Sequence, residues 1–85
     1  MNRLYPVFLV LSGKRCVVVG GGRIALQKTR ALVEAEADVT VISPECVVEM
    51  EDLAAEGFIR IERRGYQSGD LAKAFLVVAA TDNRA

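Results

Sequence analysis

The sequence predicts an α/β domain, with an open parallel sheet, strands in the order 3-2-1-4, and helices packed on it. Three observations carry that expectation. Residues 16–19 (Cys-Val-Val-Val) and 74–80 (Ala-Phe-Leu-Val-Val-Ala-Ala) are continuously apolar, the pattern of parallel strands covered on both faces rather than one. From Arg23 onward the apolar spacing switches to a helical period. Strand-like and helix-like segments then alternate along the chain, and right-handed crossovers turn that alternation into the stated strand order.

Each element has its own signals. A leading segment, residues 5–11, ends in a Ser12-Gly13 turn, and the first strand follows at 16–19. In the first helix Ile24, Ala31, Leu32 and Ala35 form the expected apolar stripe, leaving Gln27, Lys28, Arg30 and Glu34 outside. The second strand is expected at 37–43, stopped by Pro44. A short helix at 48–56 has Met50, Leu53 and Ala54 as its apolar side and Gly57 as its stop signal. The third strand, 58–64, carries Arg60, Glu62 and Arg63, charges that suit a sheet edge. A loop with one helical turn, capped by Ser68 or Asp70, leads to the fourth strand at 74–81.

Composition narrows the function classes. The chain has 85 residues, enough for one small domain or part of one, and 52% hydrophobic residues against 26% charged argue for a packed core. Lys and Arg total 11 and Asp and Glu total 11, so no basic footprint for nucleic acid exists. Histidine is absent, which removes His-ligated metals and His general bases from this segment. Cys16 and Cys46 lack the spacing of a metal or redox motif, and Cys16 reads as a small core residue. The amino-terminal apolar run is broken by Pro6 and lacks a cleavage signature, so the expected location is the cytoplasm. No stretch approaches the roughly 20 apolar residues that span a bilayer, so no membrane partner is expected.

The stretch that carries chemistry is Gly20-Gly21-Gly22, between the first strand and first helix. With Ala25 it has the spacing G-x-G-x-x-A of a dinucleotide-binding turn. Gly20 permits the sharp exit from the strand, Gly22 lets a pyrophosphate approach the backbone, and Ala25 keeps the helix close to the sheet. Gly21 has no assigned reason. The helix N-terminus presents unpaired N–H groups to an anion. Arg23, in the first helical turn, either contacts the phosphate or swings away into solvent. At the end of the second strand, where a carboxylate commonly holds the ribose of NAD, the chain has Ser43-Pro44-Glu45. Ser43 can hydrogen-bond a ribose but cannot repel a 2′-phosphate, and Glu45 substitutes only if the loop curls back, so NAD and NADP both stay open on this feature. Thr81 and Asp82, at the carboxyl end of the fourth strand, are placed to face the cofactor, with helix capping as the alternative for Asp82. No residue of the chain is assigned a catalytic or metal-binding role.

These residues resemble the NAD-binding domain of precorrin-2 dehydrogenases and siroheme synthases. The resemblance runs through almost the whole chain. Its most specific parts are Tyr5-Pro6-Val7-Phe8-Leu9, the Val-Gly-Gly-Gly turn with Ala25-Leu26-Gln27-Lys28, and Ala79-Ala80-Thr81-Asp82. It implies a Rossmann-like sheet forming the N-terminal part of a larger NAD(P)-binding domain. It also implies NAD as cofactor, cofactor contacts at Gly22, Arg23, Ile24, Pro44 and Glu45, and oxidation of the tetrapyrrole precorrin-2 to sirohydrochlorin. Some relatives also insert iron. The family's catalytic Asp matches no residue here, and the family's substrate-binding and homodimer-forming parts fall beyond residue 85, so the isolated chain is expected to be inactive. Glu36 departs from the pattern, which commonly has Gly there. It must take a left-handed conformation or shift the helix end.

The rival reading is a nucleotide-sensing regulatory module without catalysis, such as those attached to potassium transport proteins. Those commonly keep an acidic residue where Ser43 stands. A structural interaction domain with an empty nucleotide site is the third. The apolar fourth strand carries one more expectation: a further strand beside it, from a longer chain or a partner.

Overall fold

The computed structural model describes residues 10–67, 69, 70 and 72–80. The leading segment up to Leu9, Ser68 as a cap, and the Thr81-Asp82 patch lie outside the described residues. Six elements follow in order: β1 (Arg15–Val19), α1 (Arg23–Glu34), β2 (Asp38–Ile42), α2 (Val48–Ala55), β3 (Ile59–Glu62) and β4 (Leu76–Ala79). The four strands form one sheet in the order β3-β2-β1-β4, all neighbours parallel, as expected.

Successive strands step in one direction from β1 to β3, so right-handed crossovers place both helices on one face. On that face Cys16, Val18, Val39, Val41 and Ile59 pack with Ala25, Leu26, Leu32 and Met50 into a single core. The connection from β3 to β4 reverses direction and runs across the opposite face. There Arg64 and Asp70 of that connection line a cavity with Arg15, Thr40 and Ile42 of the sheet. The opposite face grades across the sheet by register: Val17 lies beside Val77 on one side and Thr40 on the other, and Thr40 beside Arg60.

Three details differ from expectation. The inward stripe of α1 is Ala25, Leu26, Thr29 and Leu32. Ile24 is 46% exposed and Ala31 is also outward. Docking Ala25 against β1 sets the rotation of the helix about its axis, and periodicity alone does not reveal that constraint. β4, expected to be covered on both faces, has Leu76 and Val78 half-buried against the core, with Val77 and Ala79 exposed. Among the described residues it pairs with β1 and lies at the end of the sheet order. An apolar run records what a strand can bury, which exceeds what this strand does bury here. Finally, Asp70 caps no described helix. Its carboxylate accepts the Gln67 N–H at 2.6 Å and both terminal nitrogens of Arg64 at 2.8 Å, closing the connection into a tight loop.

Both helices end at the amino side of the sheet by the same hydrogen-bonding pattern. After α1, the N–H of Glu36 donates to the Val33 carbonyl at 2.9 Å and that of Ala37 to Leu32 at 3.1 Å. After α2, Gly57 donates to Ala54 and Phe58 to Leu53, both at 3.0 Å. Each is a Schellman closure, which needs a left-handed residue. Gly57 supplies it at φ 87° and Glu36 at φ 64°. Of the two outcomes open to Glu36, the chain takes the left-handed one.

Candidate nucleotide-binding site

The carboxyl end of the sheet is built from two loops that touch. β1 exits through Gly20, whose φ of 131° is open to glycine and hard for any side chain. The Gly20 N–H still donates to Ile42 at 3.0 Å, so the turn begins while the chain is registered on β2. Gly22 is the N-cap of α1 in an extended conformation, with no side chain to cap the helix.

Gly21, which had no reason in the sequence, has the firmest one in the structure. A Cβ on Gly21 would overlap the Glu45 carbonyl oxygen and lie 2.9 Å from both the Cys46 Cα and the Ser43 Oγ. Its own carbonyl accepts the Val47 N–H at 2.9 Å. The bare backbone there lets the loop after β2 close down on the glycine turn. The signal is invisible locally because the contacts come from residues 43–47, a full strand and helix later.

That closure also disposes of Ser43 and Glu45. Ser43 is buried and its hydroxyl donates to the Glu45 carbonyl at 2.7 Å, so it braces the loop. Pro44 and Glu45 are exposed on the rim. Ile24 is exposed at the start of α1, beside Arg23. Arg23 reaches across to α2, where its Nη1 meets Glu49 Oε2 at 2.7 Å. The structure thus brings together Gly20, Gly21, Gly22, Arg23, Ser43 and Glu45 and adds Glu49. Sequence reading missed Glu49; the signal available was a carboxylate in the first turn of the second helix.

The electrostatics follow from these contacts. The Arg23 hydrogen bond is the main cause holding the Glu49 carboxyl below the usual carboxylate range. Glu51, two residues on, is lowered chiefly by its hydrogen bonds to Arg63. Burial pushes the Cys46 thiol up, aided by Glu51, so the thiol beside the glycine turn stays protonated at neutral pH.

A family model described as "Putative NAD(P)-binding" matches residues 7–85. This chain belongs to that NAD(P)-binding family. Among its relatives, the siroheme synthase of Pseudomonas entomophila is 49% identical over 78 residues, 92% of this chain and 17% of that protein. The precorrin-2 dehydrogenase of Bacillus subtilis is 37% identical over 82 residues, 96% of this chain and 51% of that protein. A solved structure, "SirC, precorrin-2 dehydrogenase", superposes with a TM-score of 0.90 at 34% identity, covering 94% of this chain and 40% of that one. The chain therefore spans about half or less of each of these relatives, and the resemblance read from its motifs holds along nearly its whole length.

The residues of this family member fit a dinucleotide on structural grounds as well. The α1 N-terminus has no side-chain cap and no acidic residue in its first turn. The first intrahelical bond is Leu26 N–H to the Gly22 carbonyl at 2.9 Å. The N–H groups of Arg23, Ile24 and Ala25 precede it and have no backbone acceptor among the described residues, which is the donor set an anion needs.

Proposed function

We propose that this chain is the NAD-binding part of a precorrin-2 dehydrogenase, which oxidises precorrin-2 to sirohydrochlorin on the way to siroheme. The observation that carries the reading is the glycine turn at the carboxyl end of β1, opening onto the uncapped donors of α1. Its relatives named precorrin-2 dehydrogenase and siroheme synthase supply the substrate. Bound NAD would supply the hydride acceptor. The chain's own residues would hold and orient it: the first-turn N–H groups at the pyrophosphate, Gly22 leaving the backbone bare, and Ile24, Pro44 and Glu45 along the rim. Thr81 and Asp82 complete the proposed set.

The same reading makes the tetrapyrrole the second substrate and gives the whole protein a homodimeric, cytoplasmic form with neither nucleic acid nor membrane as partner. The balanced charge of the chain supports the absence of a nucleic-acid partner. No helix among the described residues is long and apolar enough to cross a membrane.

Calorimetric titration of NAD tests the cofactor half. Saturable binding that is lost when Gly22 is replaced by a bulky acid such as Glu is the expected result, and no heat at millimolar NAD would overturn it. Appearance of NADH on incubating the whole protein with precorrin-2 and NAD tests the catalytic half. NAD binding without turnover would leave a nucleotide-sensing module as the better reading.

A further inference from the structure

In a doubly wound sheet the pyrophosphate lies at the first glycine turn and the adenosine ribose beyond the end of the second strand. NAD and NADP are told apart there by charge, since a carboxylate suits the free ribose hydroxyls and an arginine suits the 2′-phosphate. The residue at the strand end of this chain offers neither, and the carboxylate of Glu45 stands exposed on the rim beyond it. That residue is Ser43, and the hydroxyl is engaged by the Glu45 carbonyl.

Both charges stand one step further out. Arg23 is the first residue of α1 and Glu49 lies in the first turn of α2. The two helix starts are tied to each other through the Val47 N–H and the Gly21 carbonyl, and the two side chains meet at 2.7 Å. A cation at a helix N-terminus is unfavourable by itself, and an anion there is favourable. Arg23 is held in its unfavourable place by Glu49. The second carboxylate oxygen, Oε1, is enclosed with no side-chain donor among the described residues, and Arg23 Nη1 is the side-chain partner of Oε2.

We infer that the Arg23–Glu49 pair makes this site select NAD over NADP: Glu49 occupies the guanidinium that a 2′-phosphate would need and sets a negative charge beside it. Glu49 is a positioning residue, acting on the dinucleotide through Arg23. The inference rests on the dinucleotide reading of the site and assigns the discrimination that Ser43 leaves open. With the pair intact, the local charge is balanced and the doubly charged 2′-phosphate gains nothing. With Glu49 neutralised, Arg23 faces the ribose end of the crevice unpaired.

The test is a set of dissociation constants for NAD and for NADP, by calorimetry, on the wild-type chain, Glu49→Gln, Arg23→Ala and the double variant. Glu49→Gln is expected to tighten NADP by about tenfold while moving NAD by less than about threefold. The gain should shrink as salt screens it and vanish in the double variant. Glu49→Ala, which also releases Arg23, should give the same shift and guards against a folding defect peculiar to Gln. An unchanged NADP-to-NAD ratio in both Glu49 variants, or a gain that survives loss of Arg23, overturns the inference while NAD binding itself keeps the dinucleotide reading. Failure of the wild-type chain to bind either dinucleotide overturns both.

Discussion

Glycine is needed at both ends of this sheet, for opposite reasons. At the carboxyl end Gly21 is required for space, because the Glu45 carbonyl, the Cys46 Cα and the Ser43 hydroxyl crowd the place of its missing side chain. At the amino end the two helix closures require a left-handed dihedral angle, and a methyl group added at Gly57 would find nothing within 4 Å. The chain keeps glycine at Gly57 but accepts Glu36 in the equivalent place after α1. Lost space has no cheap substitute in a close-packed loop, whereas a strained dihedral costs an L-residue only about 1–2 kcal/mol. The end proposed to hold the cofactor is therefore the intolerant one.

Gly21→Ala breaks the comparison most severely. The methyl group has backbone atoms as its neighbours, so the β2–α2 loop must lift from the glycine turn and the Val47-to-Gly21 hydrogen bond must go. A loss of about 3 kcal/mol is expected, of the order seen for overpacked interiors, together with loss of NAD binding. Chemical denaturation and calorimetry on the same variant check both. Alanine tolerated here with affinity intact would mean that the loop is not seated on Gly21.

The amino end should respond in two directions and more mildly. Gly57→Ala forces an alanine to a φ of 87° and is expected to cost about 1 kcal/mol. Glu36→Gly relieves the same strain and should raise stability by about 1 kcal/mol, since only the long Ser12-to-Glu36 contact at 3.4 Å is given up. Neither change touches the site, so NAD affinity should stay within about twofold for both. If Glu36→Gly destabilises instead, the left-handed angle is not what that position is selected to tolerate.

The two ends also differ in how well they could be read in advance. The dihedral requirement is local: a helix stripe that stops before Glu36 and Gly57 marks both closures, and the strand order follows from the alternation of elements. The turn at Gly20 was legible for the same reason. The role of Gly21 was not, because its neighbours are supplied by residues 43–46, and a space requirement leaves no periodic trace. The rotation of α1 was likewise hidden: Ile24 looked like core and Thr29 did not, yet docking of Ala25 buries Thr29 fully and exposes Ile24. The Arg23–Glu49 pair depends on the same closure of two distant loops. Residues whose function is set by chain neighbours were readable, and those set by tertiary neighbours were not.

The smallest expected effect concerns a third place, the connection from β3 to β4, which belongs to neither end. Asp70 is pulled down to about 2, first by its hydrogen bonds to Arg64 and then by the Gln67 N–H. An unfolded aspartate titrates at about 3.9. Because the folded value is the lower one, the ionised Asp70 stabilises the fold in full above that unfolded value. The contribution fades as pH falls from about 4 towards about 2, where the carboxylate takes a proton and the Arg64 fork loses its charged partner. Glu49 and Glu51, lowered by Arg23 and Arg63, add to the same acid limb. Thermal melts between pH 5 and pH 2 should show the melting temperature of the wild-type chain falling over that window, and falling less in Asp70→Asn. Gly57→Ala should keep the wild-type slope, since the bonds of that helix closure are between backbone groups that do not titrate. Parallel acid limbs for the wild type and Asp70→Asn would show that the loop clamp contributes nothing that depends on its charge, leaving its hydrogen bonds as a matter of loop shape.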